Sequence, residues 1–175
     1  MKKTLLVLAA AAMIAMGFTS CIDPVKTTAD YLVGPKNGWV LSTATSSPAY
    51  EMSDGSFVSD LINGGYLADY ELDDYIIFKE DGTELINPGK LIGDGEGYQQ
   101  EVACTWSMDP NDANFILMQV PFFYNDGWTN FDEPQERCQV VNCDESNFVI
   151  KCTINDDEPT AKGTYTFLLT YVPNK

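Results

Sequence analysis

The sequence contains no histidine. This absence excludes Ser-His-Asp and Cys-His nucleophile systems, zinc and iron sites with histidine ligands, and the commonest general base near neutral pH. Basic residues are also scarce, with ten Lys and Arg against 26 Asp and Glu and a formal net charge of −16. A surface this negative repels nucleic acids and anionic lipid headgroups. We therefore expect no nucleic-acid partner and no charge-driven attachment to membranes.

Long apolar runs are absent except near the N-terminus, where two lysines precede the apolar stretch 5–16. A membrane helix needs about 20 apolar residues, so this stretch is too short to span a bilayer. A charged start, an apolar stretch and small residues before a cleavage point are typical of a secretory signal. The Phe-Thr-Ser-Cys sequence at 18–21 resembles the lipobox of bacterial lipoproteins, whose cysteine is acylated. We expect cleavage before Cys21 and a lipid on it; the alternative is an ordinary signal peptide beside a chance cysteine.

The chain is predicted to have three parts: a lipoprotein signal peptide at 1–20, a lipidated tether at 21–36 and a single domain at 37–175. The length left after cleavage is within the single-domain range. Acyl chains on Cys21 would hold the domain on a membrane, because each buried methylene contributes about 0.8 kcal/mol. The expected location is the outer membrane. The sequence leaves open the oligomeric state and whether the domain faces the periplasm or the cell exterior.

From residue 39 the pattern is typical of β-strands, with eight runs rich in β-branched and aromatic residues. The runs are 39–45, 75–79, 83–86, 102–108, 115–120, 137–142, 148–154 and 164–172. Short turns at 80–82, 109–112 and 144–146 join successive runs as hairpins. One stretch, 57–63, suggests a short helix ended by two glycines. Sequential hairpins predict an all-β, eight-stranded antiparallel up-and-down barrel, with a β-sandwich as the alternative.

Four cysteines lie in the predicted domain, and an exported protein can form disulfides. If the turn at 144–146 centres on its middle residue, the hairpin has the pairs Cys138–Cys152, Val140–Ile150 and Asn142–Phe148. One face of the hairpin is then apolar and the other mixed, as expected where one face is buried. This register predicts a disulfide between Cys138 and Cys152. The alternative is free thiols that pack as small hydrophobic groups.

Three features of the β-region point to a family. They are Gly38 and Trp39 at the first strand, a hairpin at 76–83, and Trp106 on the following strand. Together they resemble the lipocalin-like lipoproteins of Bacteroidetes, small calycin-type barrels behind a lipid anchor. The resemblance spans residues 38–172 and implies a cup with one open end. Function in such families depends on the site and is not fixed by the fold.

Two aromatic segments are the candidate ligand contacts. Segment 121–131 carries aromatic residues around an Asn-Asp-Gly turn, and segment 49–74 is long enough to form a lid or a plug. Aromatic faces stack on sugars and cover apolar ligands. The alternative is that these aromatics continue strands into the core, where Trp39 and Trp106 are also expected. The predicted ligand-binding residues are Tyr66, Tyr70, Phe122, Tyr124, Trp128 and Phe131.

The predicted function is binding of a small apolar or glycan-like ligand by a lipid-anchored envelope barrel, with no cofactor and no metal. The alternative is a surface module that binds or inhibits another envelope protein and has a filled barrel. An enzyme would have to work with carboxylates alone, as glycoside hydrolases do. The acids are scattered along the chain and are expected on solvated turns. We therefore predict no catalytic residues.

Overall fold

The computed structural model describes residues 25–91, 101–120, 135–156 and 162–175. These residues form β-strands, one short helix, α1 (Thr28–Leu32), and one 3₁₀ turn (Asp69–Glu71). The strands are β1 (Trp39–Glu51), β2 (Phe57–Asp60), β3 (Tyr75–Phe78), β4 (Thr83–Asn87), β5 (Val102–Thr105), β6 (Ser107–Met108), β7 (Phe115–Met118), β8 (Glu136–Cys143), β9 (Phe148–Asp156) and β10 (Gly163–Pro173). Within the described ranges no helix is long and apolar enough to cross a membrane.

The strands form one antiparallel sheet in the order β5-β4-β3-β1-β10-β9-β8-β7-β6, with β2 paired to β1. Apart from β2, strands that follow one another in the chain lie side by side, and the last strand, β10, pairs with β1. The two ends of the order, β5 and β6, are separated in the chain by Trp106 alone. The sheet is therefore a nearly closed barrel, and the β-sandwich alternative is wrong.

The segment predicted as a helix, 57–63, is a strand followed by a turn. Its first residues form β2 and pair with β1. The Asp60 carboxylate then accepts hydrogen bonds from the backbone N–H groups of Ile62 and Asn63. Such side-chain bonds compete with helical hydrogen bonding, and a weak local preference yields to pairing with a neighbouring strand. The helix prediction is wrong for these reasons.

Both tryptophans predicted in the core are buried there, with Trp39 0% and Trp106 7% exposed. The indole N–H of Trp39 donates to the carbonyl oxygen of Leu32 at 2.8 Å. The indole N–H of Trp106 donates to the carbonyl oxygen of Lys79 at 3.0 Å. Buried indoles usually find such a partner, because an unpaired N–H in an apolar interior is costly. The Trp39 bond fixes α1 to the start of β1.

Trp39→Phe is expected to lower the free energy of unfolding by roughly 1–3 kcal/mol, because it leaves the buried carbonyl of Leu32 without its donor. Urea denaturation of the disulfide-intact protein measures the change. Tyr31→Phe, on the same helix, is the control and should stay within about 0.5 kcal/mol of the wild type. Equal unfolding midpoints for Trp39→Phe and the wild type would contradict the role given to this hydrogen bond.

The hairpin of β8 and β9 has the predicted register in one part and a shifted register nearer its turn. Val140 faces Ile150, as predicted. A bulge follows Val140, and Asn142 faces Val149 instead of Phe148. The extra residue of a β-bulge moves all later pairs by one position. The predicted pair of Asn142 with Phe148 is therefore wrong. It could not be corrected from the sequence, because nothing in the local sequence indicates this bulge.

One disulfide joins β8 to β9, between Cys138 and Cys152. Both residues are buried, at 0% and 1% exposure, and their Cα atoms lie 4.6 Å apart. That separation is typical of a directly opposed, non-hydrogen-bonded pair in an antiparallel ladder. Cys104 and Cys143 are free and partly buried. The disulfide therefore crosses the hairpin within the core.

The barrel has two different ends. Tight turns connect β3 to β4, β6 to β7 and β8 to β9, and antiparallel geometry puts these turns at one end together with the start of β1. α1 lies there too, because Lys26, just before it, makes an ion pair with Glu145 in the β8–β9 turn. We call this the helix end. The opposite end, which we call the loop end, carries residues 52–74 and the points where β4, β7 and β9 finish.

α1 lies within the segment predicted as the tether, 21–36. A capping box begins it: the Thr27 hydroxyl accepts from the Asp30 backbone N–H, and the Asp30 carboxylate accepts from the Thr27 backbone N–H. Leu32 at its end is 1% exposed and belongs to the hydrophobic core. These contacts place the second half of the predicted tether in the folded domain.

Candidate functional site

Aromatic side chains from β1, β10 and segment 52–74 meet at the loop end. Tyr50 contacts Tyr66 edge-on, with ring centroids 5.0 Å apart, and lies 4.8 Å from Tyr165. Phe167 lies 6.1 Å from Tyr50 and 6.3 Å from Tyr165. We call these four residues the aromatic cluster. Edge-on and tilted contacts hold rings in defined orientations, so the cluster forms a preorganised apolar wall.

Two of the predicted ligand-binding residues are described by the structure. Tyr66 is partly buried in the aromatic cluster, and Tyr70 is partly buried in the 3₁₀ turn. The other four predicted residues, Phe122, Tyr124, Trp128 and Phe131, lie outside the described residues. The structure therefore assigns Tyr66 to an aromatic wall and leaves the contribution of segment 121–131 as a prediction.

The sequence prediction placed Tyr50 in segment 49–74 but not among the ligand contacts, and it missed Tyr165 and Phe167. Strand alternation could have indicated that Tyr165 and Phe167 lie together, because residues two positions apart on a strand share a face. Segment 52–74 also brings Leu61 and Leu67 into the core, at 0% and 5% exposure. This segment therefore packs as a plug against the barrel.

A carboxyl group is buried inside the barrel. Glu84 of β4 pairs with Phe78 of β3 and with Cys104 of β5, so the three side chains share one face of the sheet. Phe78 belongs to the core, and Glu84 is 0% exposed. Its Oε2 atom accepts a hydrogen bond from the backbone N–H of Gln119 at 2.9 Å. Its Oε1 atom has no hydrogen-bond partner among the described residues.

A second polar group in the interior is the hydroxyl of Tyr171 on β10. The residue is 3% exposed, and its ring stacks on Phe148 with centroids 5.6 Å apart. Its hydroxyl lacks a hydrogen-bond partner within the described part of the chain. An unpaired buried polar group costs about 1–3 kcal/mol. Each such group in a folded core calls for an explanation, such as a bound water or a bound ligand.

Burial raises the pKa of Glu84 to about 8, although the hydrogen bond from Gln119 opposes the shift. The carboxyl group is therefore mostly protonated at neutral pH and can donate a hydrogen bond. Burial and then the charge of Glu84 raise the pKa of Cys104 to about 12, and the same two causes raise the pKa of Tyr171. Cys104 is the cross-strand partner of Glu84, and the charge of Glu84 also acts on Tyr171.

The expectation that the acids lie on solvated turns is wrong for Glu84 and Asp109, which are 0% and 8% exposed. Asp74 is partly buried. Burial, followed by the charges of Asp73 and Glu71, raises the pKa of Asp74 to about 8. The prediction failed for Glu84 because it considered residue type and not strand position, and this glutamate occupies an inward position. Across the described residues no three Cys, Asp or Glu side chains converge in a way that could hold a metal ion.

A groove of about 280 Å³ lies outside the barrel at the helix end. Tyr31 and Pro35 line one side of it, and Glu145 and Pro173 line the other. Lys26 also lines the groove, with its ammonium 2.6 Å from the Glu145 carboxylate. The side chains of this ion pair are 52% and 76% exposed, so solvent screens the charges and the pair adds little stability. The groove was not predicted from the sequence.

The described residues thus offer apolar aromatic contacts at the loop end and hydrogen-bonding groups in the interior. Neither feature includes a nucleophile activated by a neighbouring base. What the arrangement can do chemically is bind an uncharged molecule that has an apolar body and a polar end. No family model, no curated protein and no solved structure matches this chain.

Proposed function

We propose that this protein is a lipid-anchored component of the bacterial envelope whose lipocalin-like barrel binds a small apolar or glycan-like molecule. The observation that carries the proposal is a nearly closed barrel with an aromatic cluster at one end and buried polar groups in its core. Closed barrels of similar size fill their interior with side chains or hold one small ligand there.

The barrel of this proposal has eight strands. β5 pairs with β4, and β6 pairs with β7, while Trp106 alone separates β5 from β6. Counted as one strand bent at Trp106, they complete a ring with β1, β3, β4, β7, β8, β9 and β10. β2 pairs with the loop-end part of β1, on the edge whose helix-end part pairs with β3, and is not counted in the ring. This up-and-down order is the one that the resemblance to lipocalin-like lipoproteins implies.

In this proposal the lipid on Cys21 determines which end of the barrel faces the membrane. An extended chain spans about 3.5 Å per residue, so Cys21 reaches no more than roughly 20 Å from Thr27 at the start of α1. α1 belongs to the helix end. In this proposal the helix end faces the bilayer, and the loop end, with its aromatic cluster, faces away from it. A ligand would enter from the side opposite the membrane.

The ligand contacts in this proposal are Tyr66 and Tyr70, together with the predicted residues of segment 121–131. Support comes from the position of that segment, since Val120 and Gln135 on either side of it stand at the loop end, between β7 and β8. The aromatic cluster lies at the same end. Aromatic walls of this kind suit flat apolar faces, including those of sugars.

A filled barrel that binds another envelope protein is the second candidate. One observation favours it: Phe148 contacts three aromatic rings in the core, those of Trp39, Phe78 and Tyr171, with centroids 5.6–5.9 Å apart. These rings occupy much of the helix-end half of the barrel.

The carboxylate hydrolase is a third candidate with less support. Glu84 has the apolar setting of a catalytic acid, but the groups whose pKa it raises are a thiol and a phenol and not a second carboxyl.

Native mass spectrometry tests the proposal with the mature domain released from the membrane and purified from the bacterium that makes it. We expect a mass in excess of the sequence mass that disappears when the protein is unfolded, because a bound small molecule leaves with the barrel structure. The same protein, unfolded and refolded without lipid extract, is the control. A folded protein that shows only its sequence mass and takes up no added apolar probe would instead support the filled-barrel candidate.

A further inference from the structure

Glu84 and Tyr171, two of the buried residues with polar groups, lie close to the same aromatic residues. Glu84 pairs across the sheet with Phe78, whose ring lies 5.7 Å from that of Phe148. Phe148 in turn stacks on Tyr171 at 5.6 Å. Glu84 and Tyr171 therefore both border one series of packed aromatic rings, and each leaves one oxygen atom, Oε1 and Oη, without a partner in the described ranges.

Packing alone does not account for these groups. Glu84 is 0% exposed, and an uncharged carboxyl in an apolar core is less favourable than a leucine of similar volume. The hydrogen bond from Gln119 satisfies one of its oxygen atoms only. An unsatisfied buried polar group calls for an explanation other than packing, and ligand sites are lined mostly by apolar groups with a small number of placed polar groups.

We propose that Glu84 and Tyr171 together bind the hydroxyl end of an otherwise apolar ligand inside the barrel. This inference rests on the proposed ligand-binding function and names the ligand class: a neutral alcohol with a long apolar body. A hydroxyl both donates and accepts, so it can pair with Glu84 Oε1 and Tyr171 Oη at once. A carboxylate ligand has no cation to meet among the described interior residues, and a chain charge of −16 opposes its approach.

The head group is tested with probes that share one chain length: decan-1-ol, decane, decanoate and decylammonium, added to the lipid-free domain at neutral pH. Trp39 and Trp106 lie in the core, so their fluorescence reports on occupancy of the interior. We expect decan-1-ol to bind more tightly than decane by about 10-fold, since the alcohol gains hydrogen bonds that the alkane lacks. Decanoate and decylammonium should bind more weakly than the alcohol.

Two variants separate recognition from packing. Tyr171→Phe keeps the ring stacked on Phe148 and removes the hydroxyl, and Glu84→Leu removes the carboxyl at similar volume. Each should reduce the preference for decan-1-ol over decane by about 3- to 10-fold while decane binding stays the same. Tyr31→Phe, which removes a hydroxyl from α1 at the helix end, is the matched control and should keep the full preference. Circular dichroism confirms that each variant is folded.

The possible results are decisive. If decan-1-ol and decane bind the wild type equally, or if Tyr171→Phe is folded and keeps the full preference, the assignment to Glu84 and Tyr171 is overturned. Tighter binding of decylammonium than of the alcohol would overturn the neutral head group. If none of the four probes binds the wild type, this inference is overturned, and the excess mass in native mass spectrometry decides separately whether the proposed function stands.

Discussion

Replacing Cys21 by Ala is expected to move nearly all of the protein out of the membrane fraction. The described residues contain no membrane-spanning helix, and the net charge of −16 repels anionic headgroups, so acyl chains are the proposed source of membrane binding. Each methylene of those chains contributes about 0.8 kcal/mol of membrane affinity, which is lost with the acylated sulfur. Fractionation followed by immunoblotting measures the redistribution, and incorporation of labelled palmitate measures the lipid.

An uncleaved signal peptide could itself hold the variant on a membrane, so a second variant carries an ordinary secretory signal in place of residues 1–21. Cys104→Ala is the matched control, because it removes a free thiol elsewhere in the chain and should leave both the lipid and the location unchanged. If the protein with the exchanged signal still sediments with membranes, the anchor lies elsewhere and the lipoprotein proposal is wrong.

The free energy of unfolding is expected to fall as the pH rises from about 4.5 to about 8, and Glu84 is the main cause. Its pKa is 4.5 as a model value and about 8 in the folded protein, so the folded state holds a proton that the unfolded state has lost over this range. Stability therefore decreases with pH, by up to several kcal/mol, since one pKa unit corresponds to about 1.4 kcal/mol. Urea denaturation at a series of pH values measures the slope.

Glu84→Gln isolates this contribution. The amide oxygen of glutamine can still accept the hydrogen bond from Gln119, and the side chain does not ionise. We expect the variant to be as stable as the wild type near pH 4.5 and more stable at pH 8. Asp74→Asn is the control for a second carboxyl with a raised pKa, also about 8; this carboxyl is less deeply buried, so the variant should flatten the slope less. Parallel curves for Glu84→Gln and the wild type would show that Glu84 titrates normally.

Much of the fold could be predicted because its signals are local. The turns at 80–82, 109–112 and 144–146 carry Asp, Asn and Gly at positions where the chain must reverse, and Gly82 has the positive φ, 83°, that favours glycine. Alternation of apolar residues then placed Trp39 and Trp106 in the core. The antiparallel order followed from hairpins between successive runs, and the eight runs correspond to strands of the observed sheet.

The parts that sequence reasoning missed depend on contacts between distant segments. β2 forms as a strand because it pairs with β1, and its own residues favour that outcome weakly. The burial of Glu84 depends on Gln119, which is 35 positions away in the chain. The aromatic cluster likewise unites Tyr50 and Tyr165, which are brought together by the pairing of β1 with β10. Local propensities contain no information about such long-range pairings.

The near closure of the barrel at Trp106 has a consequence for association between copies of this protein. β5 pairs with β4, β6 pairs with β7, and Trp106 alone separates β5 from β6, so only short strand edges remain where the sheet order ends. The proposed lipid anchor would concentrate the chains in two dimensions, where long open sheet edges would join into larger aggregates. Among the described strands β2, β5 and β6 each have a single strand partner, and Phe57 on β2 is 66% exposed. We therefore expect edge-to-edge association between copies to involve these short strands.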